Sequence, residues 1–345
     1  MDDRSTNELA RYLCVDRFLQ NLVGATSLKT AFDLRVIDRL VGSDGVDHSA
    51  LYESFELDRQ GFDMLLNLLT VNQVIESSGE RIRLTEPFAH ALQYRDLLQA
   101  KLDFAILVTP DLADLFTSLI ANPAQFMEQS RVFRLFDYQR CLKLTPENYA
   151  ATKRWMHFTS TLTRYESAFA MCLYDFSQHQ RLLDVGGNSG EFLLQVCKQH
   201  AQLQGTVFDL PVVCVVGQEH LLQQPEADRI TFMKGSAVDD ALPRGFDSIV
   251  FKSMLHDWPE SMTYRILSKA AQVLEPGGTL LIFERGPIHA SELHRFPQVP
   301  MLLFFRAFRA PEIYQTQLSE MGMVDITVEW IDLEMPFFLL TAKKM

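Results

Sequence analysis

From residue 180 onward the chain alternates short apolar runs with helical segments, and few folds can absorb that alternation. Arg181-Leu182-Leu183-Asp184-Val185 reads as a strand and Glu191 to His200 as a helix. Gly205-Thr206-Val207-Phe208-Asp209, Ser248-Ile249-Val250-Phe251 and Thr279-Leu280-Leu281-Ile282-Phe283 are further strands, with a helix from Met262 to Leu274. Parallel neighbours need a crossover long enough to hold a helix, so this spacing predicts an α/β class with a doubly wound, mostly parallel Rossmann-like sheet. Glu329-Trp330-Ile331-Asp332-Leu333 and Phe337 to Ala342 read as a terminal hairpin, which gives the sheet an antiparallel edge.

The first part of the chain has a different texture. Leu13, Phe18, Leu19, Leu22 and Val23 recur at helical spacing, as do Phe62, Leu65, Leu66 and Leu69. Between Val74 and Leu84, two short alternating runs flank a Ser-Gly turn, the pattern of a β-hairpin. Helices followed by such a hairpin suggest a winged-helix unit. A second helical stretch, from about 97 to 178, is unusually apolar around Phe104 to Leu119 and from Trp155 to Phe176. Surplus apolar surface marks an interface, so the stretch is read as a dimer face and one wall of a substrate pocket, against the plainer reading of interdomain core. The resulting partition is 1–105, 106–178 and 179–345.

At 345 residues and 47% hydrophobic content the chain can form two cores of ordinary size. Its 32 basic and 44 acidic side chains leave a formal charge of -12, and no basic run could neutralise a phosphate backbone, so nucleic acid is not an expected partner. The five cysteines are scattered and never form a C-x-x-C pair, which argues against a disulfide framework or a zinc site and fits a reducing cytoplasm. The acidic opening Met1-Asp2-Asp3-Arg4 is unlike a signal peptide, and no apolar stretch is read as approaching the roughly 20 residues that cross a bilayer. A soluble, cytoplasmic protein without membrane contact is therefore expected.

The loop Asp184-Val185-Gly186-Gly187-Asn188-Ser189-Gly190 lies between the first of these strands and its helix, at the sheet edge where ligands bind. The dinucleotide fingerprint G-x-G-x-x-G fails twice here, because its second and third glycines fall on Asn188 and Glu191. A pyrophosphate sits poorly beside Asp184 and Glu191, whereas the cationic groups of S-adenosylmethionine tolerate acids, so the charge balance favours that cofactor over NAD. Asp209, at the end of the second strand and 23 residues beyond Gly186 (186 to 209), is placed to take ribose hydroxyls.

Lys252-Ser253-Met254-Leu255-His256-Asp257-Trp258 follows the fourth strand, and Glu284-Arg285 ends the fifth. A neutral imidazole at His256 can remove a hydroxyl proton near pH 7, and Glu284 can orient it and stabilise its cation. A metal site assembled from His256 with His289 or His294 is not favoured.

Taken in order, Asp184 to Gly190, Phe208-Asp209-Leu210-Pro211, Leu255-His256-Asp257-Trp258 and Glu275-Pro276-Gly277-Gly278 with Glu284 resemble the small-molecule O-methyltransferases of the caffeic acid and hydroxyindole type. The resemblance covers nearly the whole chain. It implies a homodimer formed through the N-terminal winged-helix domain. It also implies cofactor contacts from Ser160, Asp184, Gly186, Gly187, Asp209, Leu210, Ser236, Ala237 and Lys252, with Ser160 on the cofactor carboxylate and Lys252 near the adenine. His256 falls on the catalytic base and Glu284 on an acid that steers it. Met156 falls where a methionine clamps the acceptor ring, and Asp257, Phe305 and Phe308 fall at the acceptor pocket. Two departures stand out. Gly235-Ser236-Ala237 lacks the aspartate that usually holds the adenine amino group, and Phe308 replaces a second acid. An apolar acceptor pocket follows, reinforced by the run Met301 to Arg306. The expected activity is methyl transfer to a hydroxyl of a small aromatic or polyketide-like metabolite. C- or N-methylation, a cofactor-binding cyclase that methylates nothing, and a DNA-touching regulatory protein are the alternatives.

Overall fold

The structure is a computed structural model, and it describes residues 8–288, 299–304 and 306–345. Among these the chain divides into two compact units, one built from 8–126 with 299–302, the other from 127–288 with 303–345.

The first unit is mostly helical. After a 3-10 segment at Ala10–Leu19 come α1 (Leu22–Asp33), α2 (Arg59–Val71) and α3 (Arg95–Ala121). Asn21 caps α1 by accepting from the Gly24 amide at 2.8 Å, and Asp58 caps α2 by accepting from Gly61 at 2.7 Å. Phe62, Leu65, Leu66 and Leu69 are the buried face of α2, as their spacing predicts. The expected hairpin forms as β2 (Ile75–Ser78) and β3 (Arg81–Leu84), and β3 also pairs with β1 (Val46–Asp47), giving a three-stranded antiparallel sheet of order β1-β3-β2.

One expectation needs correction here. The helical stretch Glu86–Ala121 is, by length and composition, long and apolar enough to cross a membrane. Asp111 and Asp114 interrupt its apolar run, which hides its length when the sequence is read residue by residue. Asp111 is buried within the chain, while 28% of the apolar window as a whole is buried.

The second unit carries α4 (Pro146–Leu173), β4 (Arg181–Val185), α5 (Glu191–Gln199), β5 (Gln204–Asp209), α6 (Pro211–Leu221), β6 (Ile230–Lys234), β7 (Phe246–Lys252), α7 (Glu260–Val273), β8 (Leu274–Arg285), α8 (Pro311–Glu320), β9 (Met323–Asp332) and β10 (Pro336–Lys344). The strands form one sheet of order β6-β5-β4-β7-β8-β10-β9, parallel from β6 to β8, with β10 antiparallel to both β8 and β9. Central strands read as unbroken apolar runs because both faces are covered: Leu182, Leu183, Ile249, Val250, Phe251 and Leu280 to Phe283 are all inaccessible to solvent. Chain order runs outward from β4 through β5 to β6 on one side and through β7 to β8 on the other. The reversal between β4 and β7 opens the crevice where ligands of such sheets bind, and it brings the loops after both strands together.

Candidate active site

The glycine loop leaves β4 through two positions that exclude side chains. Gly186 sits at φ +71°, and a Cβ there would run into Met254. A Cβ on Gly187 would lie 2.7 Å from Cγ and Oδ2 of Asp184. The Asp184 carboxyl is thus packed directly under the loop, 1% exposed, and neither of its oxygens finds a hydrogen-bond partner among the described residues. Burial, with Asp209 adding to it, pushes this carboxyl up to about 8. Asp209 is better provided: Oδ2 accepts from the Asn188 amide at 2.8 Å and Oδ1 from the Leu210 amide at 2.7 Å. Burial nonetheless raises it to about 6 against those two bonds.

Glu191, expected beside the ligand, is committed elsewhere. Its buried carboxylate takes bonds from Gln195 and His220 and an ion pair from Arg164, so the case against a pyrophosphate rests on Asp184 and Asp209. Helix α4 lies against the loop: Ser160 donates to Ser189 Oγ at 2.7 Å, and Asn188 Nδ2 donates to Thr159 Oγ1 at 3.2 Å. Met156 is buried with Trp155, Val212, Val213 and Val216, and Leu210 packs against the same cluster.

Across the crevice, His256 stands on a single 3-10 turn, Leu255–Asp257. Its Nδ1 is 2.7 Å from Glu284 Oε2, while Glu284 Oε1 accepts the amides of Met254 and Leu255, both at 2.8 Å. One carboxylate therefore fixes both the turn and the ring upon it. Nε2 lies 3.5 Å from Asp257 Oδ1, whose other oxygen accepts the Tyr138 hydroxyl at 2.7 Å. Burial works against the imidazolium, but the Glu284 and Asp257 charges outweigh it and hold His256 above the ordinary imidazole value. For Glu284, burial is likewise overcome by His256, and its carboxyl is held below the usual range. Phe308, 7% exposed, packs its ring 5.3 Å from that of His256. The arrangement is an oriented imidazole with one apolar wall. It suits removing a proton from an uncharged hydroxyl.

A model of the O-methyltransferase domain family matches residues 128–300, half of the chain. The chain belongs to that family. Among curated relatives, the 3-hydroxy-5-methyl-1-naphthoate 3-O-methyltransferase of Streptomyces sahachiroi is 37% identical over 139 residues, 38% of this chain and 39% of that protein. The chain thus spans about two fifths of this relative's length in the match. Human N-acetylserotonin methyltransferase, solved in complex with SAM, superimposes with a TM-score of 0.70 at 19% identity, covering 93% of each chain. NcsB1 of neocarzinostatin biosynthesis, solved with SAM and 2-hydroxy-5-methyl naphthoic acid, gives 0.69 at 20% identity over 95% of this chain and 98% of its own. At such identities the structural likeness speaks for the fold.

Within this O-methyltransferase domain several contacts have no counterpart in the sequence reading. Lys252, at the end of β7, donates to Thr163 Oγ1 at 2.9 Å and pairs with Glu166 of α4. Glu166 also pairs with Arg285, whose other nitrogen donates to Ser253 Oγ at 3.0 Å. The available signal was Glu166 within the apolar stretch from Tyr165 to Phe169, because a buried carboxylate demands a cation. Arg309 donates to the carbonyl of Leu255 at 3.0 Å and to that of Trp258, clamping the His256 turn from the residue beside Phe308. In place of the missing aspartate, Ser236 Oγ donates to Asp239 Oδ2 at 3.0 Å and its amide to Asp240 Oδ2 at 2.8 Å, while Lys269 holds the Ala237 carbonyl at 3.1 Å. Phe305, His289 and His294 lie outside the described residues. Among the described residues no group of three or more His, Cys, Asp or Glu side chains could hold a metal ion.

Proposed function

We propose that the protein moves a methyl group from S-adenosylmethionine to a hydroxyl of a small aromatic or polyketide-like metabolite. The observation that carries this reading is the dyad: His256 is fixed through Nδ1 by a buried Glu284, leaving Nε2 as the proton-accepting atom. The relatives support the substrate class, since the naphthoate enzyme and NcsB1 are named with hydroxylated naphthoic acids. The residues present fit the cofactor. Asp184 offers a buried carboxyl without a hydrogen-bond partner among the described residues, packed directly beneath Gly187 of the loop that would receive the ammonium of an amino acid. Asp209 would hold ribose hydroxyls, Ser160 the carboxylate, and Leu210, Ser236, Ala237 and Lys252 would border the adenosine. When bound, S-adenosylmethionine supplies an electrophilic methyl on a sulfonium. The protein's own task is to orient the acceptor between Met156, Phe308 and His256 and to take its proton at Nε2. Asp257, 3.5 Å from Nε2, borders the same space.

The helical unit is read as a winged-helix-like dimerisation domain, and the protein as a cytoplasmic homodimer whose helix at 86–121 is covered by protein rather than lipid. The decisive test incubates the protein with isotopically labelled S-adenosylmethionine and a panel of phenols, keto acids and amines, and weighs the products. A labelled methyl ether is expected. Product formation without S-adenosylhomocysteine would instead favour a cyclase. His256→Ala should lower turnover by about 10²–10⁴-fold, the usual contribution of a general base, and abolish the acid limb of its pH profile. An unchanged profile would remove His256 from the reaction.

A further inference from the structure

A carboxyl that is 1% exposed, with no hydrogen-bond donor at either oxygen among the described residues, is in an unusual position, because folding has covered it without supplying a protein donor. Asp184 is that group. It sits in β4 between β5 and β7, capped by the Cα of Gly187. The charged side chains acting on it from those neighbours are Asp209 at the end of β5 and Lys252 at the end of β7. Asp209 repels a second negative charge. Lys252 attracts one, but its ammonium is already paired with Glu166. An ionised carboxylate left in this place would be costly, and a neutral acid far less so.

We propose that Asp184 is protonated in the unliganded protein and releases that proton to solvent when a cationic group docks against Gly186 and Gly187. The inference rests on the cofactor reading above, because the ammonium of S-adenosylmethionine or S-adenosylhomocysteine is the cation in question. The carboxylate that results is the counter-ion of the docked ammonium, and the crevice gains one positive charge from the ligand as it loses one proton. Burial that lifts the free acid to about 8 makes the neutral form dominant at pH 7. An opposite charge within about 4–6 Å lowers a carboxyl by roughly 1–3 units, enough to reverse that balance. Affinity is therefore coupled to pH: each proton released steepens binding by up to tenfold per pH unit below the free group's midpoint.

Two measurements test this. Titration calorimetry of the intact protein with S-adenosylhomocysteine at pH 7, in two buffers of different ionisation enthalpy, counts protons. About half to one proton should be released by the wild type and none by Asp184→Asn, an isostere that cannot titrate. The ligand's own amine is common to both proteins and cancels in the comparison. No release from the wild type, or equal release from both, would overturn the proposal. The second measurement uses no ligand. An acid whose folded value lies above its unfolded value, near 3.9, makes the native state bind more protons, so stability present at low pH is lost as pH rises from about 4 to about 8. Denaturant midpoints of the wild type should fall across that window, by up to tenfold in the folding equilibrium per pH unit, and those of Asp184→Asn should fall less. Identical slopes would sink the protonated resting state. If Asp184→Asn fails to fold, wild-type affinity alone decides, and it should strengthen several-fold between pH 6.5 and 7.5. A folded wild type that binds neither S-adenosylmethionine nor S-adenosylhomocysteine would overturn the cofactor reading together with the proton exchange, while the ligand-free slopes would still report on Asp184 itself.

Discussion

His256 is held by two carboxylates that do different things. Glu284 spends one oxygen on the ring and the other on two backbone amides, so it cannot leave the imidazole without undoing the turn beneath it. Asp257 stands 3.5 Å from Nε2, beyond a good hydrogen bond, and contributes charge more than geometry. Both raise the imidazole value, and in the proposed base role the ring must be neutral to act, so activity should switch on above the ordinary imidazole range rather than at it. Glu284→Gln removes the larger of the two charges. The acid limb of kcat/KM should move to lower pH while kcat drops by about 10²-fold or more, because the ring loses its orientation. A limb that stays in place would mean that Glu284 acts on the backbone alone. The positions of His256 and Glu284 were legible in the sequence, since each lies at or just beyond the end of a recognisable strand. Tyr138 and Arg309 were not: they meet the same turn from 119 and 54 residues away, and nothing local in their surroundings marks them.

At the scale of elements, α4 is what joins the two halves of the site. Its Ser160 and Thr159 meet the glycine loop, and one to two turns later Glu166 grips Lys252 and Arg285 at the ends of β7 and β8. Glu166 is 1% exposed and both cations are 8% exposed on their side chains, so the cluster is shielded from salt and water. Removing the acid that Lys252 and Arg285 share leaves two buried cations with a further acid nearby, Glu334, 3.7 Å from Arg285. Glu166→Gln should therefore cost about 3–5 kcal/mol of stability, read as a lower urea midpoint with an unchanged slope. A loss under 1 kcal/mol would mean the cations find water. The strands of the sheet could be read from the sequence because each is an apolar run bounded by Gly, Asp or Pro. The edge strand β6, Ile-Thr-Phe-Met-Lys with only Ile230 buried, leaves a fainter pattern, as expected where one side of the ladder is open. The length of the apolar stretch at 86–121 is faint in the sequence for a related reason: Asp111 and Asp114 break its apolar run, although Asp111 itself is buried on the same side as Phe104 and Val108.

At the scale of the molecule, the helical unit leaves apolar surface that its own core does not use. On α1 and α2, Leu22, Val23, Met64 and Val71 are 42%, 58%, 61% and 82% exposed, and between these helices lies an apolar groove of about 510 Å³ lined also by Leu34, Phe62, Leu65 and Leu68. None of the catalytic or cofactor residues borders it, so its apolar character has no chemical explanation in the O-methyltransferase site. A second copy of the same face is the occupant proposed for it, because the lining is apolar or uncharged apart from Asp58, whose carboxylate is engaged by the Gly61 amide at the start of α2. A carboxylate set in the middle of such an interface must be desolvated without a partner, which costs far more than it does on an open surface. If the proposed homodimer forms through this groove, Met64→Asp should convert it to a monomer in sedimentation or light-scattering measurements while circular dichroism stays unchanged, since Met64 is 61% exposed within its own unit. A variant that remains dimeric at micromolar concentration would move the interface off the α1 and α2 groove and onto the exposed Phe116 and Ile120 of α3.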